Sequence, residues 1–174
     1  MAIEKMKQYF APEGLLKDVF HSYEYRGEQL SMAEAVMRSI DEEKALIVEA
    51  GTGVGKSMAY LIPICSAVLQ GLIQRAIVST YTKALQRQLV EKDLPLIKEK
   101  LMPEITYRLC LGSENYLCRR RLHIAVDTGN VDIFEEDGFN ELLKWKETTE
   151  EGLLLELSPP LSLWKKVCRE SDLC

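Results

Sequence analysis

The stretch Glu49-Ala50-Gly51-Thr52-Gly53-Val54-Gly55-Lys56-Ser57 sets three glycines directly ahead of an ammonium and a hydroxyl. Glycines so spaced let a backbone turn tightly with its N–H groups aimed inward, which makes a cradle for phosphate oxygens. Lys56 can then reach the β and γ phosphates of a nucleoside triphosphate, and the Ser57 hydroxyl can ligate Mg2+. The expected ligands are ATP and Mg2+, the expected cradle runs through Ala50, Gly51, Thr52, Gly53, Val54 and Gly55, and Lys56 is the expected catalytic group. The loop departs from the strict G-x-x-x-x-G-K-[ST] pattern only at Ala50. The competing reading is a glycine-rich surface turn.

Such a loop works between a strand and a helix. Ala45-Leu46-Ile47-Val48 is a short β-prone apolar run of the kind that makes a buried parallel strand, and residues 58–70 are long enough for a helix whose positive end would face the loop. Pro63 is expected to kink that helix or mark its early turns. Ala76-Ile77-Val78-Ser79-Thr80 reads as a second buried strand, residues 83–91 as a helix, 93–102 as a further helix closed by Pro103, and 105–111 as a third strand. The pattern predicts an α/β fold with a parallel sheet flanked by helices, in which ligands bind beyond the carboxyl ends of the strands. Thr80 and Thr82 sit at that edge, where hydroxyls and free N–H groups could hold a second anion such as a DNA backbone. The alternative for Thr82 is the N-cap of the next helix.

Upstream, residues 1–20 form two short helical pieces punctuated by Pro12 and Gly14, with no chemistry assigned. Residues 28–40 read as an amphipathic helix. Gln29 at its start could read the edge of adenine, since an amide both donates and accepts; the alternative is a solvated glutamine.

At 174 residues, 47% hydrophobic and 28% charged, the chain is about one soluble globular domain. No apolar run approaches the ~20 residues needed to cross a bilayer, and the N-terminus lacks an apolar signal core, so no membrane partner and a cytoplasmic location are expected. Five cysteines without regular spacing argue against a disulfide framework and leave a metal or redox role open. The net charge of −5 is uneven. Between Asp132 and Glu156, nine acidic residues stand against Lys144 and Lys146, a local −7 that leaves +2 for the remainder. A mildly basic body with an acidic appendage is compatible with a DNA groove, although a solvated acidic face is the commoner explanation of such a run.

Taken together, Tyr25-Arg26-Gly27-Glu28-Gln29 with Met32, the glycine loop, Ser79-Thr80-Tyr81-Thr82 with Leu85, Gln88 and Leu89, and Asn115-Tyr116-Leu117-Cys118 occur in the order seen in DinG-type helicases. The chain resembles these bacterial relatives of the XPD family of superfamily 2 over residues from about 10 to 121. The resemblance implies a RecA-like ATP-binding domain over 25–112, preceded by a helical lead-in over 1–24 and followed over 113–174 by the start of a helical iron–sulfur insertion. It makes Gln29, with Arg26 beside it, the adenine reader, and Lys56 and Ser57 the Walker A lysine and hydroxyl. It also makes Thr80, Tyr81, Thr82 and Gln88 part of a segment that contacts single-stranded DNA. The family couples ATP hydrolysis to translocation and unwinding, typically 5′ to 3′, on single strands and forks.

By the same resemblance Cys118 is the first ligand of a 4Fe–4S cluster and Cys174, in Ser171-Asp172-Leu173-Cys174, the second, with two more expected downstream. Two thiolates cannot satisfy a cluster that needs four. Cys168 is not expected to be a ligand, and Cys65 and Cys110 read as small buried hydrophobes on a helix and a strand. Arg119, Arg120 and Arg121 could neutralise DNA phosphates or form a solvated helix face. Phe134, Phe139, Leu142, Leu143 and Trp145 are expected to pack the insertion, and Pro159-Pro160 to break it before a last helix over 161–167.

No Asp-Glu-x-His or Asp-Glu-x-Asp box occurs, so the acid that positions Mg2+ and the glutamate that orients water are both missing. The expectation is therefore the N-terminal part of an ATP-dependent DNA helicase, inactive alone and dependent on the remainder of its chain, in the bacterial cytoplasm at the nucleoid. The alternatives are an ATP and single-strand-DNA binding module without turnover, and a small P-loop kinase.

Overall fold

The structure, a computed structural model, describes residues 4–20, 22–129 and 136–170. The chain forms two compact units, Met1–Arg108 and Leu109–Cys174.

The first unit is built on two long helices. In α3 (Gly27–Asp41) the fully buried Ala33 and Met37 lie four residues apart, one turn above the other on a single face. That face packs along α4 (Lys56–Leu69), whose Met58, Ala59, Leu61, Ile62, Cys65 and Ala67 are buried. Pro63 sits inside α4, which runs on through it. Two short helices, α1 (Glu4–Phe10) and α2 (Leu15–Val19), add Met6, Phe10 and Leu16 to the same core. The Tyr23 hydroxyl donates to the Phe10 carbonyl at 2.6 Å, giving a partner to a group the end of α1 leaves open. Downstream, α5 (Lys83–Gln88) passes through a π-helical turn, Leu89–Asp93, into α6 (Leu94–Lys100).

Among the described residues the expected parallel sheet is not present as paired strands. Residues 45–48, 76–80 and 105–111 belong to no ladder, and the only bridges among the described residues are the isolated antiparallel pairs Tyr116 with Leu153 and Leu117 with Cys168. A strand is defined by its ladder with a neighbour, and the β-prone runs 45–48 and 76–80, on either side of α4, make none with each other. The apolar side chains accordingly stay outside, with Ile47 98% and Ile77 92% exposed. Residues 105–111 keep an alternation of buried or half-buried and exposed positions, starting from buried Ile105. That alternation puts Cys110 outside, against the expectation that it is buried, whereas Cys65 lies in the core as expected.

The second unit is helical: α7 (Arg119–Thr128), α8 (Glu136–Lys146), α9 (Leu154–Leu157) and α10 (Leu161–Val167), after a 3-10 turn at Ser113–Asn115. Leu122, Ala125, Leu142, Leu163, Trp164 and Val167 form its core, with Phe139, Leu143 and Trp145 packed against them. Trp145 and Trp164 meet edge to face at 6.4 Å, and the Trp164 indole N–H donates to the Glu114 carbonyl at 2.7 Å. Phe134 and the segment 171–174, including Cys174, lie outside the described residues.

Candidate nucleotide-binding site

The glycine loop ends where α4 begins. Gly55 is the N-cap of α4 with φ 79° and ψ 35°, and Gly53 has φ 81°. Both lie in the left-handed region, where a residue with a Cβ pays about 1–2 kcal/mol. Because Gly55 has no side chain, the first amides of this 14-residue helix receive no side-chain cap. They remain as donors at the positive end of the helix dipole, an arrangement that suits phosphate.

Three side chains grip the loop. Lys56 folds back so that Nζ donates to the Ala50 and Gly51 carbonyls, both at 2.9 Å. Arg26, the N-cap of α3, donates through Nη1 to the Gly53 carbonyl while Nη2 pairs with Glu24 at 3.0 Å. Gln29, one turn further along α3, donates from Nε2 to the Gly55 carbonyl at 3.0 Å. Only 7% of Gln29 is exposed, which rules against the solvated reading. The fit is close: a Cβ at Gly55 would collide with the Gln29 amide. Thus α3 and the loop form one clasp, holding Arg26, Gln29, Ala50, Gly51, Gly53, Gly55 and Lys56 together. Thr52 is exposed and Val54 half-buried in the same loop.

Ser57 follows in the first turn of α4, one turn before the half-buried Tyr60. Burial raises the Tyr60 pKa above its ordinary value, and the nearby Ser57 hydroxyl opposes that rise. No group of three or more His, Cys, Asp and Glu side chains gathers among the described residues. The loop fits a nucleotide, and a Mg2+ ion would be held by Ser57 together with the nucleotide's own phosphates.

The downstream segment is arranged differently. Thr82 is the N-cap of α5, its hydroxyl accepting from the Leu85 N–H at 3.2 Å, and Thr80 donates to the Thr82 carbonyl at 3.4 Å. Tyr81 is fully exposed, an aromatic surface on which a base could stack. Gln88 turns its amide inward and donates to Asp93 at 3.0 Å. Asp93 and Tyr60 were not singled out by sequence. The available signal was an acid standing directly before Leu94-Pro95 in a helical run.

In the second unit the three arginines divide. Arg119 and Arg120 are exposed at the start of α7. Arg121 is turned inward, its side chain 18% exposed, donating to the carbonyls of Cys168 and Lys165, each at 2.8 Å, and pairing with Glu170 at 2.6 Å. It ties the end of α10 to α7. Cys118 is buried as the N-cap of α7, its backbone N–H donating to the Val167 carbonyl at 2.8 Å. Burial pushes the Cys168 thiol up, with Arg121 pulling against it. The described residues supply no set of thiolates that fits a 4Fe–4S cluster, and no step is derived through one.

Comparison with known proteins bears on the same stretch. The chain is 34% identical to the ATP-dependent DNA helicase YoaA of Escherichia coli over 173 residues, 97% of this chain and 26% of that protein. It is 42% identical to the ATP-dependent helicase DinG of Mycobacterium tuberculosis over 113 residues, 62% of this chain and 16% of that protein. With a protein of Bacillus subtilis named 3'-5' exonuclease DinG, identity is 27% over 169 residues, 92% of this chain and 17% of that protein. The chain thus spans about a quarter or less of the length of these relatives. The DEAD/DEAH box helicase family matches residues 30–146, which take in the glycine loop, α4, the Thr80–Thr82 segment and α7. On that match, which covers more than half of the chain, the chain belongs to the DEAD/DEAH box helicase family.

Proposed function

We propose that the chain is the nucleotide-binding part of a DinG-type, ATP-dependent DNA helicase, which binds ATP with Mg2+ and couples its hydrolysis to movement along single-stranded DNA, 5′ to 3′, and to opening of forks. One observation carries the proposal: Arg26, Gln29 and Lys56 converge on the carbonyls of a loop whose glycines hold left-handed geometry at an uncapped helix start. A phosphate entering the loop would take over the Lys56 ammonium and the free amides of α4, while Ser57 would offer its oxygen to Mg2+. Gln29, anchored on Gly55, would keep its amide oxygen for adenine. Thr80, Tyr81, Thr82 and Gln88, with Arg119 and Arg120, would contact the strand through hydroxyls, ring stacking and phosphate neutralisation. Hydrolysis would require an acid and a glutamate from the remainder of a longer chain, and the assignment of Cys118 and Cys174 to an iron–sulfur cluster belongs to that longer protein as well. A DNA substrate in a bacterium places the work in the cytoplasm at the nucleoid, and no helix among the described residues is long and apolar enough to cross a membrane.

The test is nucleotide binding and ATP hydrolysis by the 174-residue chain, with and without single-stranded DNA, beside Lys56→Ala. Binding that needs Lys56, without turnover, is the expected result. Absence of nucleotide binding, or binding indifferent to Lys56→Ala, would overturn the proposal. Turnover by the chain alone would overturn its dependence on added catalytic groups.

A further inference from the structure

Arg26 is expected beside adenine, yet both terminal nitrogens of its guanidinium are engaged elsewhere: Nη1 donates to the Gly53 carbonyl and Nη2 pairs with Glu24 at 3.0 Å. A planar fork held at both ends has a fixed direction. Its root is fixed too. Arg26 is the N-cap of α3, which packs along α4, and its own carbonyl accepts from the Gln29 and Leu30 N–H groups at 3.1 and 3.3 Å. The loop is the softer partner. A Cβ built at Gly53 meets no atom within 4 Å, so packing on that side leaves the peptide free to turn. The Gly53–Val54 peptide is trans, and a trans peptide carries its C=O and N–H on opposite sides. By drawing the Gly53 carbonyl to itself, Arg26 therefore turns the Val54 N–H the other way.

We propose that Arg26 is a positioning residue for the phosphates and not a reader of the base: it holds the Gly53 carbonyl outward so that the Val54 N–H aims into the cradle and donates to a phosphate oxygen. The inference rests on the nucleotide reading given above. It deepens that reading by giving to the polyphosphate a residue that the resemblance sets beside adenine.

The experiment titrates the unsubstituted 174-residue chain, Arg26→Ala and Arg26→Met with Mg2+-ATP, Mg2+-GTP and inorganic tripolyphosphate, and follows the loop amides by NMR. Arg26→Ala is expected to weaken all three ligands by about tenfold, the lower end for a hydrogen bond to a charged group, with the ATP-to-GTP ratio unchanged within about twofold. In the unsubstituted chain tripolyphosphate should move the Val54 amide proton downfield, as a hydrogen bond to an anion does. Both variants should lose that shift while the Lys56 and Ser57 amides at the start of α4 keep theirs. A residue that merely steadied the fold would lower the melting temperature and move all of these amides together, which overturns the proposal. So does a loss confined to ATP, tripolyphosphate binding by Arg26→Ala within about threefold of the unsubstituted chain, or a Val54 shift retained in the variants. Should Arg26→Ala fail to fold, Arg26→Met keeps an unbranched stem without donors and decides by the same amide. If the unsubstituted chain binds none of the three ligands, the nucleotide reading falls and this inference with it. If it binds them and Arg26→Ala binds them equally, that reading stands and the role of Arg26 falls.

Discussion

Replacing Gly55 by alanine strikes the loop at its tightest point. The backbone there has φ 79°, so a Cβ costs about 1–2 kcal/mol. The same Cβ would strike the Gln29 amide, which is buried and donates to the Gly55 carbonyl at 3.0 Å. Displacing that amide forfeits a buried hydrogen bond, about 1–3 kcal/mol. The two terms together come to about 2–5 kcal/mol, and even the lower bound corresponds to about 30-fold in an equilibrium constant. The strain is local, so a chain that relieves it by moving the loop leaves the phosphate-binding geometry, and nucleotide affinity records the cost. The assay is a fluorescent-nucleotide titration of Gly55→Ala, Gln29→Ala and the double variant. Without the Gln29 amide, alanine at 55 meets no collision, and its cost should shrink to the backbone share of about 1–2 kcal/mol. Gly55→Ala that binds within threefold of the unsubstituted chain, or strictly additive effects in the cycle, would refute the reasoning.

Arg121→Ala should destabilise the second unit by about 1–3 kcal/mol in denaturant melts, because it strips partners from the Cys168 and Lys165 carbonyls. Arg119→Ala should leave that stability unchanged and instead reduce the salt slope of oligonucleotide binding by about one. Thr82→Ala should loosen the start of α5, costing about 1 kcal/mol as read by amide exchange at Leu85, whereas Thr82→Ser should restore it. Burial pushes the Cys65 thiol up to about 11, so at pH 8 only about one part in a thousand is thiolate. Iodoacetamide followed by mass spectrometry should therefore modify exposed Cys110 well before Cys65, and faster labelling of Cys65 would contradict its burial.

The parts of the molecule that could be read from sequence are those whose cause is local. Gly53 and Gly55 announced their conformation because no other residue holds a positive φ so cheaply, and the apolar spacing over 28–40 announced the helix α3, though not that Ala33 and Met37 are its buried pair. The runs 45–48 and 76–80 carried strand propensity without strand structure, since pairing belongs to two segments and a sequence window sees one. Cys110 was misassigned for a related reason: residues 105–111 alternate in burial, and the face on which the cysteine falls was not written in its type. Nothing in Arg119-Arg120-Arg121 says which guanidinium turns inward; carbonyls more than 40 residues away at Lys165 and Cys168 decide it. The meeting of Gln88 with Asp93 depends on the π-helical turn, which a 3.6-residue period does not reveal.

The unpaired runs have a colloidal consequence. Ile47 and Ile77, almost wholly exposed, lie in β-prone stretches whose backbones belong to no ladder, and such stretches are templates for another chain's strand. Charged residues flank them, Lys44 and Glu49 around the first and Arg75 before the second. The two charges around the first run cancel, so they give it no net repulsion between copies, whereas Arg75 leaves the second with one positive charge. The exposed isoleucines, and not folding stability alone, therefore bear on how long the chain stays dispersed.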